Sequence, residues 1–375
     1  MNVPKLRFKE FNDEWQNGKL EDVVDFLDDR RKPIKDSDRN NIKGIYPYYG
    51  ASGIIDYIND YIFDENLLLL GEDGANIISR STKLVFKATG KYWVNNHAHV
   101  LKPKENYNID FLESYLENIN YEPYNTGTAQ PKLNQEVCRK INIKTPSLNE
   151  QAKIGKTLSL LDKKIELQTK KIEDLKLFKK GLFDKLDFKN YKNVKLKDIL
   201  NEVNIKSTIN NQYEILSSTS NGLFLQKDYF NKQAASENNI GYKIIKKDQL
   251  VLSPQNLWMG NININFKYKE GIVSPSYKIY DINTNIIDID YFNNWIKSPR
   301  ALYEYMISSE QGASVVRRNL NIDLFDEIIL KLPDISEQKR IGRQIKNINK
   351  KIELEFKKLD KLKELKKGLM QNMFV

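Results

Sequence analysis

The stretch TPSLNEQAKIG, residues 145–155, returns as LPDISEQKRIG at residues 332–342, a displacement of 187 positions. The likeness extends well beyond those words. At the same offset, residues 133–183 align with 320–370 without a gap, with about 22 identities in about 51 positions. Leu133-Asn134 repeats as Leu320-Asn321, Pro146 as Pro333, Glu150-Gln151 as Glu337-Gln338 and Ile154-Gly155 as Ile341-Gly342. KKIEL occurs at 163–167 and 350–354, and KKGL at 179–182 and 366–369. The chain is an internal duplication. A weaker echo, Lys19 to Val23 against Lys195 to Ile199, marks where each unit starts. Each unit therefore reads as a short opening motif, a variable block and a shared tail. The variable blocks, roughly 24–130 and 200–318, show little similarity to each other.

Each tail reads as one long helix. After Pro146, Ser147 stands as N-cap with Glu150 three residues on; after Pro333, Asp334 and Glu337 hold the same places, the spacing of a capping box. Apolar residues then recur at Leu158, Leu161, Ile165, Ile172, Leu175, Phe178 and Leu182, and in the second copy at Ile345, Ile348, Ile352, Leu359, Leu362, Leu365 and Leu369. This 3-4 spacing is a coiled-coil seam, with Lys and Glu on the other faces. Both seams carry a polar residue at the same place, Gln168 and Glu355. A narrow seam on a helix of about 54 Å calls for a partner, and the other copy, running antiparallel, is the expected one.

The second copy also spells a nuclease-like string through Pro333, Asp334, Glu337 and Lys339. Nuclease carboxylates come from separated segments that converge on a metal ion. Asp334 and Glu337 instead sit three apart at a helix start, where negative charge complements the macrodipole. The first copy has Ser147 in place of Asp334. A capping hinge accounts for both copies, whereas a metal site accounts for one.

The 375 residues suit two to three domains, and 40% apolar with 29% charged residues suits a soluble protein with real cores. Net charge is +10, which favours an acidic partner such as nucleic acid. The excess lies in the two tails, leaving the rest near neutral, unlike a protein that coats DNA uniformly. No apolar run is long enough to span a membrane, and MNVPKLRFKEF lacks the apolar core of a signal peptide. Cys138 is the single cysteine; with no disulfide to form, a cytoplasmic location is expected.

Both variable blocks read as β-rich with helical inserts. The first offers a Pro-containing turn at Tyr46 to Tyr49, an apolar strand at Leu67 to Leu70, the loop GEDGAN (71–76), a helix near Ile109 to Asn118 and the polar loop NTGTAQPKLN (125–134). The second offers YEILSSTSNG, LVLSPQNLWMGN, GIVSPSY, a helix from about Asp290 to Ser308 and the loop QGASVVRRNLN (311–321). Asn and Gln suit the adenine edge and Arg the guanine edge, while Ser, Thr and Lys suit phosphates. His97 and His99 are the two histidines and no third ligand completes a zinc site; one buried, hydrogen-bonded imidazole is the simpler reading. GEDGAN is not a Walker loop, and no Asn-Pro-Pro-aromatic string of an adenine methyltransferase occurs.

Across nearly its full length the chain resembles the DNA specificity subunit of type I restriction-modification systems. PKLRFKEF…EW, YPYYGASG, GEDGAN, NHAHVL, GIVSPSY and the twofold P-x-x-x-EQ-x-x-IG carry the resemblance. It implies an α+β architecture of two β-rich target-recognition domains separated by two long helices paired as an antiparallel coiled coil, with a pseudo-twofold internal repeat. The expected divisions are a first recognition domain at 1–146, a central conserved helix at 147–187, a second recognition domain at 188–333 and a C-terminal conserved helix at 334–375. It implies a non-catalytic reader of a bipartite, asymmetric site in double-stranded DNA, with the helices setting the gap. Two methyltransferase subunits and restriction subunits are the implied partners. S-adenosylmethionine, ATP and magnesium would belong to those partners, with no cofactor in this chain. The residues expected to touch DNA are Tyr48, Tyr49, Asn76, Arg80, Asn96, Thr128, Gln130 and Lys132 in the first domain, and Ser217, Gln255, Asn256, Trp258, Ser276, Arg317 and Arg318 in the second. The competing readings are a methyltransferase or nuclease in its own right, and a coiled-coil scaffold that never reads bases.

Overall fold

The computed structural model describes residues 3–184, 191–229, 238–311 and 318–375. Packing divides the chain into two units, Met1–Ile172 with Glu355–Val375, and Glu173–Leu354. The division cuts each long helix in its middle rather than at its N-terminal end. Each unit thus holds one β-rich block, the start of one long helix and the end of the other.

In the first unit, Gln16–Lys19 pairs antiparallel with Asn142–Thr145, tying the two ends of the block together. The turn that follows, Leu20–Val23, is capped by Asp22, whose carboxylate accepts from Lys19 N at 2.8 Å. Next comes a four-stranded antiparallel sheet in the order Val24–Phe26, Ala98–Pro103, Leu67–Gly71, Val85–Ala88. The four leucines at 67–70 are all buried because both faces of this sheet are covered. Leu68 and Leu70 face the main core with Leu112 and Leu116. Leu67 and Leu69 face a second cluster with Phe63 and Tyr92, the period-2 alternation of a strand. The second sheet runs Gly53–Ile58, Lys43–Gly50, Lys91–Val94, Phe63–Asp64. The expected turn at Tyr46 to Tyr49 is strand instead: Pro47 sits opposite Tyr57, with register shifts on both sides of it, the bulged setting that tolerates a proline in a sheet.

The second unit repeats the plan. Lys192–Lys195 pairs with Ile329–Leu332, and Asp198 caps the following turn through Lys195 N at 3.3 Å. Its four-stranded antiparallel sheet runs Leu200–Val203, Lys278–Ile282, Leu250–Leu252, Ile262–Ile264, the same order as in the first unit. Leu250 and Leu252 face one core and Val251 the other. The additions differ: a hairpin of Leu216–Thr219 with Gly222–Leu225 and a pair of Lys243–Lys246 with Glu270–Val273. The helix expected over 290–308 is two helices, Ile289–Trp295 and Pro299–Ile307. Pro299 cannot donate within a continuing helix, and Ser298 caps the new one by accepting from Ala301 N at 3.2 Å.

The long helices are Leu148–Asp184 and Ile335–Met373. Ile154 and Leu158 from the start of the first, and Met373 from the end of the second, are buried in the first unit's core. Phe374 sets its ring edge-on 5.8 Å from Phe111 and 5.4 Å from Tyr115. In the second unit Ile341 and Ile345 enter the core and Leu182 packs against it. Along the pair, Lys366 bonds Asp162 at 2.5 Å and Gln168 bonds Glu355 at 2.7 Å, so one number falls as the other rises and the helices are antiparallel. Of the seam, Leu158, Leu161, Ile172, Ile345 and Leu359 are buried, and Ile165, Leu175, Leu182, Ile348, Ile352, Leu362 and Leu369 are half-buried. Phe178 and Leu365 are exposed, as a 3.5-residue repeat drifts around a helix of 3.6 residues per turn.

Proline ends each edge strand, and the Glu-Gln phrase fastens the helix to its block. Gln151 donates to Pro146 O at 2.9 Å and accepts from Asn108 N at 3.0 Å. Gln338 donates to Pro333 O at 2.9 Å and accepts from Asp288 N at 2.9 Å. Asn108 and Asp288 are the N-caps of the helices Ile109–Asn118 and Ile289–Trp295. A Cβ on Gly155 would lie 2.6 Å from Phe111 N, and one on Gly342 2.6 Å from Asp288 Oδ1. The phrase is therefore a crossing of two helix starts, with Gln bridging and Gly permitting contact. The capping box holds in part. Asp334 accepts from Glu337 N at 3.0 Å, but Glu150 is taken by Arg7, at 2.8 and 2.7 Å, and Glu337 by Arg340.

Candidate nucleic-acid interface

In the first unit three turns and one strand meet at one end of the sheet. Leu133 N donates to Glu72 O, Gly74 N to Pro131 O, Glu72 N to His97 O and Asn95 N to Tyr49 O. These bonds join GEDGAN, the turn 95–98, the loop 125–133 and the strand carrying Tyr49. The loop 125–132 is closed by Asn125, whose side-chain oxygen accepts from Gly127 N at 3.0 Å and Lys132 N at 2.8 Å. Gly127 is obligatory there, since a Cβ would lie 1.8 Å from Gln130 O. Thr128 and Gln130 are left exposed at the tip.

Beneath these turns lies a charged network. His99 is 1% exposed, with Nδ1 at 2.6 Å from Asp28 Oδ2 and Nε2 at 2.8 Å from Leu133 O. Both partners are acceptors, so both ring nitrogens donate and the imidazole is an imidazolium. Burial opposes that charge, but the Asp28 carboxylate outweighs it, with help from Cys138, and raises the pKa to about 10. Asp28 is held below its usual range despite burial, through His99, Val100 N and Arg31. Arg31 reaches Glu72 at 2.7 Å, and Lys132 reaches Glu72 at 3.3 Å. His97, half exposed, pairs separately with Asp73 at 2.7 Å. The two histidines thus engage different carboxylates and do not form a pair. Among the described residues no group of three or more His, Cys, Asp or Glu side chains is placed to hold a metal ion.

The expected contact residues divide by burial. Asn96, Thr128, Gln130 and Lys132 are exposed on the turn cluster, Lys132 with Glu72 as its partner. The others have work inside the fold. Tyr48 is 1% exposed, its hydroxyl accepts from Ile34 N at 2.9 Å, and Arg39 covers its ring. Tyr49 stacks on Phe86. Asn76 accepts from Thr82 N and donates to Thr82 O, while Arg80 pairs with Glu117 at 2.8 Å. In the second unit Gln255 and Ser276 are exposed, Ser276 beside Ser274. Asn256 closes its turn through its main-chain oxygen, and Trp258 is half-buried. Ser217 is buried within the hairpin, and Arg318 donates to Ser309 O at 2.9 Å. Arg318 N also donates to Gln255 O at 3.3 Å, which brings the 253–260 turn beside the strand pair Ser309–Gln311 and Arg318–Leu320. Arg317 lies outside the described residues.

Sequence reasoning missed Asn125, Asp28 and Arg31, which organise the first cluster. Asn125 was legible in principle, since an Asn-x-Gly stretch is a turn signal with a known side-chain mechanism. Asp28 and Arg31 were not, because their partners lie far away in the chain.

Residues 12–177 match the family model of the type I restriction modification DNA specificity domain. A putative type I restriction enzyme specificity subunit from Haemophilus influenzae is 37% identical over 148 residues, 40% of this chain and 37% of that protein. The chain therefore spans little more than a third of that relative in the matched region. A type I restriction enzyme specificity subunit from Methanocaldococcus jannaschii is 22% identical over 96% of this chain and 91% of its own length. The crystal structure of a type I restriction-modification S subunit from M. genitalium superimposes with a TM-score of 0.65 at 15% identity, covering 100% of this chain and 99% of that one. That likeness establishes the fold. No helix among the described residues is long and apolar enough to cross a membrane.

Proposed function

We propose that this chain, whose residues 12–177 match the family model of the type I restriction modification DNA specificity domain, is the non-catalytic specificity subunit of such a complex. Each β-rich block reads one half of a bipartite, asymmetric site in double-stranded DNA, and the paired helices set the gap between the halves. Two methyltransferase subunits dock on the helices and carry S-adenosylmethionine; restriction subunits carry ATP and magnesium. The complex works in the cytoplasm.

One observation carries the reading. Two four-stranded sheets of identical order present turns of different sequence, at 72–76, 95–98 and 125–132 in one unit and at 253–261 and 274–276 in the other. A shared frame with divergent tips is what two readers of different base sequences require. Their adenine target would be flipped from the duplex into a partner's pocket, so this chain needs no catalytic group of its own.

The test is to incubate the purified chain with DNA and labelled S-adenosylmethionine, with and without its methyltransferase subunits, and to map the methylated positions. Transfer only in the mixture, at one split motif, is expected. Transfer by the chain alone would make it a methyltransferase. Binding without any sequence dependence in the mixture would make it a scaffold.

A further inference from the structure

Each unit has a cleft where the KKGL segment of one long helix passes the helix that follows the four-stranded sheet. In the first unit the cleft holds about 350 Å³ and includes Lys363, Lys366, Lys367 and Glu117 in its lining. In the second it holds about 540 Å³ and includes Lys176, Lys179, Lys180 and Lys297. Lys176, Lys179 and Lys180 are the duplicates of Lys363, Lys366 and Lys367, at the offset of 187. The two clefts are therefore one site written twice.

Their charges differ. In the first unit Asp162 takes Lys366 at 2.5 Å and Lys83 at 3.4 Å, and Glu113 takes Lys83 at 3.3 Å. In the second unit the duplicate of Asp162 is Asn349. Counting from the N-caps Asn108 and Asp288, Glu113 becomes Asn293 and Glu117 becomes Lys297. Two carboxylates have become amides and a third has become an ammonium, and the described residues lining the second cleft include no carboxylate. Burial pushes the pKa of the Lys179 and Lys297 ammonium groups down. Lys297 is held by neutral oxygens, Asn263 Oδ1 at 2.7 Å and Ser220 O at 3.1 Å. The start of the helix Pro299–Ile307 borders the same cleft, adding its positive end.

We propose that the cleft of the second unit is a phosphate-binding site that grips one or two backbone phosphates of the DNA beside the half-site this unit reads, a role the first unit's cleft has lost to internal ion pairs. The inference rests on the proposed DNA-reading function. The chemistry favours phosphate over a partner's carboxylates: the cations among the described residues lining the cleft are all lysines, and planar carboxylates are best met by the arginine fork, while lysine acts as a point charge toward phosphate. Its position favours DNA as the source. Lys297 is bonded to the turn residue Ser220 and to Asn263, two residues past the 253–261 turn.

The experiment measures duplex binding by the full chain from 50 to 200 mM salt, with Lys179→Gln/Lys180→Gln against Lys366→Gln/Lys367→Gln. Each phosphate contact contributes about 0.9 to the slope of log K against log salt. The second-unit pair should flatten the slope by about 1–2 and weaken all sequences alike, while the first-unit pair leaves it unchanged. A Lys297→Gln variant, melting as wild type, should flatten it as well. An unchanged slope in both second-unit variants overturns the proposal. So does weakened binding of a methyltransferase subunit without DNA, which would assign the cleft to an acidic protein segment. If wild type shows no preference for any duplex while the variants still flatten its slope, the reading function fails and the phosphate site stands.

Discussion

Gln168 donates its side-chain amide to both the main-chain oxygen and the carboxylate of Glu355, at 2.9 and 2.7 Å. The two residues are the same position of the duplicated tail, so at this point the chain hydrogen-bonds to its own copy. In an antiparallel pair equivalent positions meet at one point, so this contact marks the crossing of the two copies. Lys171 and Lys358 flank the carboxylate at 2.9 and 3.4 Å. The Gln168 bond first, and Lys171 next, bring the Glu355 pKa down to about 2.

A polar pair in an apolar seam fixes register at some cost in stability. Because the Glu355 pKa is depressed, its contribution is present above the ordinary glutamate range and is lost as pH falls toward about 2. Gln168→Leu should lower the urea midpoint at pH 7, because the Glu355 carboxylate loses its amide donor. Gln168→Leu/Glu355→Leu should restore the midpoint or exceed it, the expected result when a buried polar pair is replaced as a pair. A double variant weaker than the single one would contradict this account.

Glycine in the two long helices offers a test with opposite signs. Gly155→Ala and Gly342→Ala place a methyl group within 2.6 Å of backbone or cap atoms and should cost about 1–3 kcal/mol, the range for overpacking. Gly181 and Gly368 meet nothing within 4 Å, so alanine there should stabilise by about 0.5–1 kcal/mol through helix propensity. Chemical denaturation of the four variants separates the cases. Equal effects at all four would mean that the close crossing is absent.

The duplication made the helices and their antiparallel pairing legible, because identical words at a fixed offset need no knowledge of contacts. The shared sheet order was not legible. Its strands are three to six residues long, and Leu67–Gly71 and Leu250–Leu252 share a burial pattern with little sequence. Pro47 and Pro299 misled in opposite directions. A sheet bulge absorbed the first, while the second split a helix whose periodicity continues across it. Three expected DNA contacts that proved internal, Tyr48, Tyr49 and Arg80, have partners distant in sequence, Ile34, Phe86 and Glu117. Composition cannot separate a side chain that shapes a turn from one that the turn displays.

His99 gives a pH prediction. Its folded pKa, about 10, lies above the ordinary histidine value. The stabilisation is therefore complete below about 6.5 and is lost as pH rises through about 10. Wild type should lose stability across that window, and His99→Leu should be flat there. At pH 7 the variant leaves Asp28 without its imidazolium and should cost about 3 kcal/mol. Urea titrations at several pH values decide it; a parallel decline in both proteins would remove His99 from the account.

Gln130 and Thr128 stand at the tip of a loop whose base is closed by Asn125. Gln130→Ala should relax preference at one base position, by about 1–3 kcal/mol for a lost bidentate contact, with the melting temperature unchanged. Arg80→Ala, which removes the ion pair with Glu117, should lower the melting temperature and leave the preferred bases alone. A binding selection on randomised half-sites reads both. A swap of those outcomes would move the reading surface away from this loop.

Under the proposed function, the crossing at Gln168 and Glu355 marks where a change of gap must be made. Because the helices are antiparallel, lengthening one alone shifts every later seam contact out of register. A heptad inserted into both, after Gln168 and after Glu355, keeps each seam continuous and extends the pair by about 10 Å at 1.5 Å per residue. At 3.4 Å per base pair that corresponds to about three base pairs. The variant should methylate a site with the same half-sites and a gap longer by about three. The single-helix insertion should lose activity and melt lower. Altered half-sites in the double insertion would show that the helices contribute to base reading, and an unchanged gap would show that they do not measure it.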